Sequence, residues 1–280
     1  MNMKQAAVLA NKILEATNPM PPYKQVKNNI TQIFKTTFTP LDYENIMQIR
    51  LAIIDGYYST NMGRRLFGIE DISAAIKDIA ADDAISRRKF DSFLTSTDDD
   101  ILKIFTNKYG IKKNAKDAGR AISIISKYAY FLTEFNFPIY DNFVNNYILE
   151  IKEKNNGNLR HGQRRKKLIS SANNIKKFFE RIIEINNDSH INNFNKLDNL
   201  CWLYGKVNNA SYGSILTNDK YKEFMYLINV SYRKSDKQKD RIKIFNRKLK
   251  RYINNDRIKC NQISSIIGKD LLKFIKYTLC

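Results

Sequence analysis

Clustered cations are the residues of this chain best suited to chemistry, and that chemistry is the binding of polyanions. Two basic stretches, 164–167 and 233–251, bring lysine and arginine close to Phe245 and Tyr252. Ammonium and guanidinium groups neutralise phosphates, and aromatic faces stack on nucleobases. The pattern predicts binding of nucleic acid mainly through its phosphates, which carry no sequence information.

The net charge of the chain favours the same prediction. Lys and Arg number 48 against 28 Asp and Glu, which gives a formal net charge of +20. Residues 1–140 contain 19 basic and 15 acidic side chains, whereas residues 141–280 contain 29 and 13. The positive field therefore belongs mainly to the second half. A compositional bias of a Lys-, Asn- and Ile-rich chain is the alternative explanation.

Several classes of site are excluded by the residue types. Cys201, Cys260 and Cys280 are odd in number and far apart, and His161 and His190 are the only histidines. A disulfide framework, a tetrathiolate metal centre and a histidine-rich metal site are therefore not expected, and we predict no metal and no cofactor. No apolar run reaches the length of a membrane span and no secretory signal is evident, so a cytoplasmic protein is expected.

The elements that must position the chemistry are helices. With only 10 Gly and 5 Pro, and apolar residues at three- and four-residue spacing, the chain is predicted to be all-α. The acidic triplet 98–100 is predicted to cap a helix rather than to bind metal. A helix is predicted over 114–134, with an apolar stripe facing the core and Lys113, Lys116, Arg120, Ser123 and Lys127 in a row on the opposite face. An ordinary solvated face is the alternative interpretation of that row.

A proline-containing loop follows this helix and ends at a carboxylate. The segment 135–140 reads Phe-Asn-Phe-Pro-Ile-Tyr, and Asp141 precedes residues at helical spacing, Val144, Tyr147, Ile148 and Ile151. Asp141 is therefore predicted to be the N-cap of the next helix. A capping carboxylate is rigidly held, so a plain structural role and a chemical role are both open.

The region 107–145 resembles a known family. Its order is a helix, a turn with Gly110, a helix with small residues, a proline loop and an aspartate at the head of a helix, and this order resembles the helix-hairpin-helix DNA glycosylase superfamily. The segments "SKYAYFL" and "FPIYDNFV" are similar to bacterial proteins of the 8-oxoguanine-glycosylase-like fold. The resemblance covers residues 40–210, with weaker similarity at 55–65 and 197–206. The family hairpin has a second glycine, which this chain lacks.

The resemblance implies roles for particular residues. It implies that Asp141 is the aspartate that serves the removal of a base, because a fixed carboxylate stabilises the positive charge that develops on the sugar. Bifunctional members place a lysine early in the helix after the hairpin. Arg120 lies near that point, and Lys127 on the same face is the candidate amine nucleophile. Tyr57, Tyr58, Tyr140 and Trp202 are candidates for the walls of a pocket for a flipped base, with core packing as the alternative.

The sequence thus predicts an all-α, two-lobed protein with a degenerate helix-hairpin-helix that binds double-stranded DNA. The predicted DNA contacts are Gly110, Lys112, Lys113, Lys116, Arg120, Arg164, Arg165 and Lys166. N-terminal helices (1–38), a helix-hairpin-helix-like lobe (39–155), a hinge (156–165) and a basic C-terminal lobe (166–280) are the predicted parts. The function expected is that of a base-excision DNA glycosylase, either with or without abasic-site lyase activity. A non-catalytic DNA-binding module is the alternative, and RNA is the less favoured partner.

Overall fold

Helices dominate the computed structural model of this chain, which describes residues 1–15, 22–60, 62–96, 98–112, 119–155, 174–228, 238–255 and 257–279. Fourteen α-helices lie in these ranges, and four strands of two residues each form two short antiparallel pairs. The prediction of an all-α protein is confirmed.

The chain divides into two compact units, with boundaries inside α2 and α10. The larger unit is Val26–Asp198, and the smaller unit joins Met1–Gln25 to Asn199–Cys280. The predicted hinge at 156–165 lies outside the described residues. The larger unit contains parts of α2 (Pro22–Lys35) and α10 (Phe194–Asn208). It contains seven helices in full: α3 (Tyr43–Tyr58), α4 (Gly68–Lys77), α5 (Asp83–Thr95), α6 (Asp99–Thr106), α7 (Ile122–Leu132), α8 (Asn142–Asn155) and α9 (Ile175–Asp188).

The smaller unit is built from helices of both chain ends. It contains α1 (Met3–Glu15), α11 (Asn218–Ile228), α12 (Gln238–Asn255), α13 (Arg257–Ile267) and α14 (Lys269–Leu279), together with the remaining parts of α2 and α10. A single helix is predicted over 263–277, but the structure has two, because Gly268 adopts φ +88° between α13 and α14. A left-handed residue ends a helix at little cost only when it lacks a Cβ.

The core of the larger unit is a cluster of phenylalanine rings. Phe105 and Phe137 stack with ring centroids 5.9 Å apart, and Phe179 of α9 contacts both. Phe90 and Phe93 of α5 complete the cluster, with centroids 5.6 and 6.3 Å from Phe137. Because Phe137 belongs to the proline-containing loop, the cluster fixes this loop against α5, α6 and α9.

Helix α7 is shorter than predicted. It begins at Ile122, whereas Gly119–Arg120 form strand β4, which pairs with β2 (Lys108–Tyr109). Strand β3 (Ile111–Lys112) pairs with β1 (Arg65–Leu66). Gly119 has a low helix propensity, and its backbone N–H and C=O groups pair with β2 rather than within a helix. The predicted continuous cationic face from Lys113 to Lys127 is therefore wrong, because Arg120 is not helical; Lys113 and Lys116 lie outside the described residues.

The helix caps follow the sequence. Asp98 precedes α6 and its carboxylate accepts the N–H groups of Asp100 and Ile101, so the predicted cap is confirmed. Within the described ranges, no His, Cys, Asp or Glu side chains gather in a group of three or more that could hold a metal ion. No helix in those ranges is long and apolar enough to cross a membrane.

Gly110 and Gly56 give a matched test of this packing. A Cβ at Gly110, which has φ +69°, would lie 2.9 Å from Gly68 Cα and from Leu66 O, whereas a Cβ at Gly56 in α3 meets nothing within 4 Å. We expect Gly110→Ala to lower the free energy of unfolding by about 2 kcal/mol or more. Gly56→Ala should raise it by about 0.5–1 kcal/mol, because alanine has the higher helix propensity. Urea unfolding measures both changes, and equal stability of the two variants would contradict the close approach.

Candidate functional site

Lys127 lies in the interior of the larger unit. Its residue surface is 4% exposed, and its Nζ donates hydrogen bonds to Ser123 Oγ at 2.7 Å and to the Ser123 carbonyl at 3.4 Å. The same Nζ lies 5.4 Å from the ring centroid of Tyr58. The solvated-face interpretation of Lys127 is therefore wrong.

The surroundings of α7 explain this burial. Helices α3, α5 and α6 all pack against α7, and its buried residues point in every direction around its axis. A helix that is apolar on all sides is a central helix of its domain. In the sequence, the uninterrupted apolar run Tyr128–Leu132 indicates a helix that is buried on all sides. This run predicts the burial of the neighbouring Lys127, whereas the apolar stripe at helical spacing predicted that Lys127 faces solvent.

Asp141 heads the next helix and is held at two points. Its Oδ1 accepts the N–H of Val144 at 2.7 Å, so the predicted N-cap is confirmed. The preceding residue, Tyr140, donates its N–H to Ser126 Oγ on α7 at 2.9 Å. Ser126 adjoins Lys127 in the chain, so one hydrogen bond ties the lysine-bearing helix to the backbone that carries Asp141. Asp141 as a whole residue is intermediate in exposure, but its carboxyl group is buried.

Asp198 is a second carboxylate of this site, which the sequence analysis did not single out. It is 7% exposed, and its Oδ2 lies 3.6 Å from Nζ of Lys27, a second buried lysine. Lys27 also donates to Asn195 Oδ1 at 2.6 Å, and the hydroxyl of Tyr130 donates to the same oxygen at 3.0 Å. The available signal was an aspartate near the start of the largely apolar segment 197–204, where an acidic side chain needs a partner.

Burial and the two carboxylates set the protonation of the site. Burial lowers the pKa of Lys127 from its usual 10.5, and the negative charges of Asp141 and Asp198 oppose this shift. Burial raises the pKa of Asp141, the charge of Asp198 adds to the increase, and Lys127 and the backbone N–H of Val144 counteract it. The pKa of Tyr58 is raised by burial and by the charges of Asp198 and Asp141. These groups therefore form one electrostatic cluster.

A lysine and a carboxylate in this state are suited to proton transfer and to nucleophilic attack. An amine is a nucleophile only when neutral, and desolvation favours the neutral form. A buried carboxylate with a raised pKa accepts a proton from such an amine more readily than an ordinary aspartate does. The arrangement is therefore capable of amine chemistry at an electrophilic carbon.

The four predicted pocket residues, three tyrosines and one tryptophan, do not share one environment. Tyr58 lies at the Lys127 cluster, and Tyr140 packs its ring 4.7 Å from that of Phe178. Tyr57 is 47% exposed and accepts a long hydrogen bond from Asn29. Trp202 belongs to the smaller unit, where its ring lies 4.2 Å from the ring of Tyr23 and 5.2 Å from the ammonium group of Lys206.

The predicted DNA contacts are only partly described. The N–H of Gly110 donates to Asp71 Oδ2 at 2.9 Å, so this donor is already bonded within the protein. Arg120 donates its Nε to the Thr106 carbonyl at 3.0 Å. The backbone of Lys112 lies in β3. Outside the described residues lie Lys113, Lys116, Arg164, Arg165 and Lys166.

Comparisons with known proteins add no relative. No family model matches the chain, and neither a curated protein nor a solved structure matches it.

The buried amine should affect how stability depends on pH. Between the lowered pKa of Lys127 in the folded protein and 10.5, the unfolded chain binds more protons at this residue, so its contribution to the free energy of unfolding rises with pH. Lys127→Met removes this contribution, and we expect a shallower rise than in the parent. Urea unfolding at a series of pH values from neutral to 10.5 measures it.

Lys176→Met is the control for this measurement, because Lys176 is exposed on α9. Its ammonium group is solvated in both states, so the variant should keep the pH dependence of the parent. A Lys127→Met variant with the same pH dependence as the Lys176→Met variant would contradict the burial of the amine.

Proposed function

We propose that this protein binds double-stranded DNA and removes a damaged or modified base, with Lys127 as the amine nucleophile and Asp141 as the catalytic carboxylate. The observation that carries the proposal is the electrostatic cluster of Lys127 and Asp141 within one compact unit. A lysine desolvated beside a rigidly capped carboxylate has little structural advantage, because an exposed lysine or an apolar residue costs less to fold.

The order of elements around the cluster supports the resemblance to the helix-hairpin-helix glycosylases. Helix α6, the turn at Gly110, helix α7, the proline-containing loop and Asp141 at the head of α8 follow one another as in that superfamily. The connection between α6 and α7 departs from the family, since it contains strands β2, β3 and β4. The compact units divide the chain after Gln25 and after Asp198, so their bounds differ from those of the two lobes predicted from the sequence.

The proposed reaction is a displacement at the sugar. The lone pair of neutral Lys127 Nζ forms a bond to C1′ of the target nucleotide while the bond from C1′ to the base nitrogen breaks. The base leaves with that electron pair and takes a proton from solvent, and Asp141 takes the proton that Nζ loses. The sugar ring then opens as Asp141 passes this proton to the ring oxygen, leaving a protonated imine between Nζ and C1′. Before it takes the proton, the Asp141 carboxylate stabilises the positive charge that develops on the sugar.

A non-catalytic DNA-binding module is the second candidate, and one observation favours it. Among the residues that the structure describes, the Lys127 amine donates hydrogen bonds to Ser123 alone, and Lys127 is 4% exposed. Without a rearrangement of its surroundings, such an amine does not reach a sugar. This candidate predicts tight binding of duplex DNA with no release of any base.

Borohydride trapping tests the nucleophile. Reduction converts the imine formed on abasic DNA into a stable covalent adduct, and we expect the parent and Lys176→Ala to form it. Lys127→Ala and Lys127→Arg should not, because neither side chain has an amine that forms an imine at this position. An adduct that persists in both Lys127 variants would overturn the assignment. No adduct with the parent, but base release that depends on Asp141, would leave a glycosylase without the lysine step.

Replacing Asp141 by asparagine tests the carboxylate, because this substitution removes the negative charge and keeps the N-cap of α8. Asparagine caps helices as well as aspartate does, so Asp141→Asn keeps the cap of α8 and removes the negative charge beside Lys127. We expect it to lower abasic-site formation by about 10²- to 10³-fold on oligonucleotides containing 8-oxoguanine, uracil or alkylated purines. Asp98→Asn makes the same exchange at the cap of α6 and should retain full activity. Equal activity of both variants would contradict a catalytic role for Asp141.

A further inference from the structure

Asp198 and Lys27 form a buried ion pair beside the proposed catalytic residues. Asp198 is 7% exposed, Lys27 is 8% exposed, and Lys27 Nζ lies 3.6 Å from Asp198 Oδ2. Removing two charges from water is costly, and a pair of apolar residues of similar volume often stabilises a protein at least as well. The ion pair is therefore best understood as a fixed charge in the interior rather than as a source of stability.

Hydrogen bonds and a ring contact fix this pair against α7. Lys27 Nζ donates to Asn195 Oδ1 at 2.6 Å, and the hydroxyl of Tyr130 on α7 donates to the same oxygen at 3.0 Å. Lys27 Nζ also lies 4.9 Å from the ring centroid of Tyr130. Asn195 and Asp198 are three residues apart on α10, so they share a helix face. Lys127 and Tyr130 share a face of α7 for the same reason, and the Tyr130 bond brings the two faces together.

The charge of Asp198 acts on both proposed catalytic residues. Burial lowers the pKa of Lys127, and the charges of Asp141 and Asp198 oppose this shift. Burial raises the pKa of Asp141 against the effect of the Lys127 ammonium group, and the charge of Asp198 adds to the rise. Burial and then the charge of Asp198 also raise the pKa of Tyr58 and of Tyr130. A carboxylate that acts on all of these groups lies among them.

Few other ionisable groups lie close to the amine of Lys127. Three titratable side chains face it, one each from α3, the head of α8 and α10: Tyr58, Asp141 and Asp198. Within the described residues, no charge carried by α5 or α6 acts on this amine. The ion pair between Arg50 of α3 and Asp83 of α5 acts on Tyr128 instead. The influence of Asp198 on the amine is therefore separable from that of other charges.

We propose that Asp198 is a positioning residue of this site, which keeps its own charge and directs the proton of Lys127 to Asp141. Lys27 keeps Asp198 ionised, because an adjacent ammonium group favours the charged form of a carboxylate. The negative charge of Asp198 in turn makes Asp141 the better proton acceptor. Two carboxylates in different environments thus take different roles. The inference rests on the proposed function, in which Asp141 accepts this proton.

The experiment observes the Lys127 amine directly in the full-length chain. Labelling lysine with ¹³C and ¹⁵N gives side-chain NMR signals, and the signal that is lost in Lys127→Met belongs to Lys127. Its chemical shift as a function of pH gives the pH at which the amine loses its proton. In Asp198→Asn we expect this pH to fall by about one unit, because a negative charge that favours the ammonium form is removed.

Two further variants and a control define the effect. Asp198→Asn leaves Lys27 buried without its partner, so Lys27→Met combined with Asp198→Asn removes the whole pair and should show the same direction of shift. Asp198→Glu keeps the charge and should titrate close to the parent. Asp188→Asn is the matched control, since Asp188 forms a 3.0 Å ion pair with Lys152 in the same unit but is exposed. It should titrate as the parent does.

The pH profile of borohydride trapping on abasic DNA is the second measurement. Adduct formation requires the neutral amine, so its rise with pH should move to lower pH in Asp198→Asn. Loss of a merely structural residue would lower the yield at every pH without moving the profile.

An unchanged titration of Lys127 in both Asp198→Asn and the double variant would overturn the inference, even if the parent forms the adduct. A titration that moves equally in Asp188→Asn would overturn it as well. A shift as expected, with no adduct and no base release by the parent, would support the effect of Asp198 on the amine while the proposed function fails.

Discussion

The burial of the Lys127 amine is the constraint on which the rest of the larger unit depends. An ammonium group that loses its hydration is tolerated only with hydrogen-bond acceptors and nearby negative charge, or when it gives up its proton. Ser123 supplies the acceptor, and Asp141 and Asp198 supply the charge. Each carboxylate then needs its own restraint. The Val144 N–H restrains Asp141, and Lys27, which also donates to Asn195, forms an ion pair with Asp198.

The restraints on Asp141 come from two independent sources. Phe137 is fully buried among aromatic rings of α5, α6 and α9, which anchors the loop before Asp141 by packing. The hydrogen bond from the Tyr140 N–H to Ser126 Oγ adds a polar connection from the other side. Packing defines the position of the loop, whereas a hydrogen bond defines its register relative to α7. The hydrogen bond between Tyr140 and Ser126 therefore connects the residue before Asp141 to the residue before Lys127.

Local signals in the sequence predicted the parts of this arrangement that depend on local interactions. The caps at Asp98 and Asp141 follow from side-chain bonds to N–H groups two or three residues away, and the structure confirms them. The start of α7 was missed because β4 pairs with β2, a contact between distant residues that helical periodicity does not report. The roles of Lys27 and Asp198 were missed for the same reason, since 171 positions separate two residues that meet only in the folded chain.

The connection between α6 and α7 explains how a missing glycine is compatible with an ordered turn. In a phosphate-binding hairpin, the backbone N–H groups must stay available to the ligand. Here the Gly110 N–H is bonded to Asp71, and the glycine instead permits the close approach of Gly68. The turn thereby supports Leu66 and Ile111 on a paired strand rather than presenting donors to an anion.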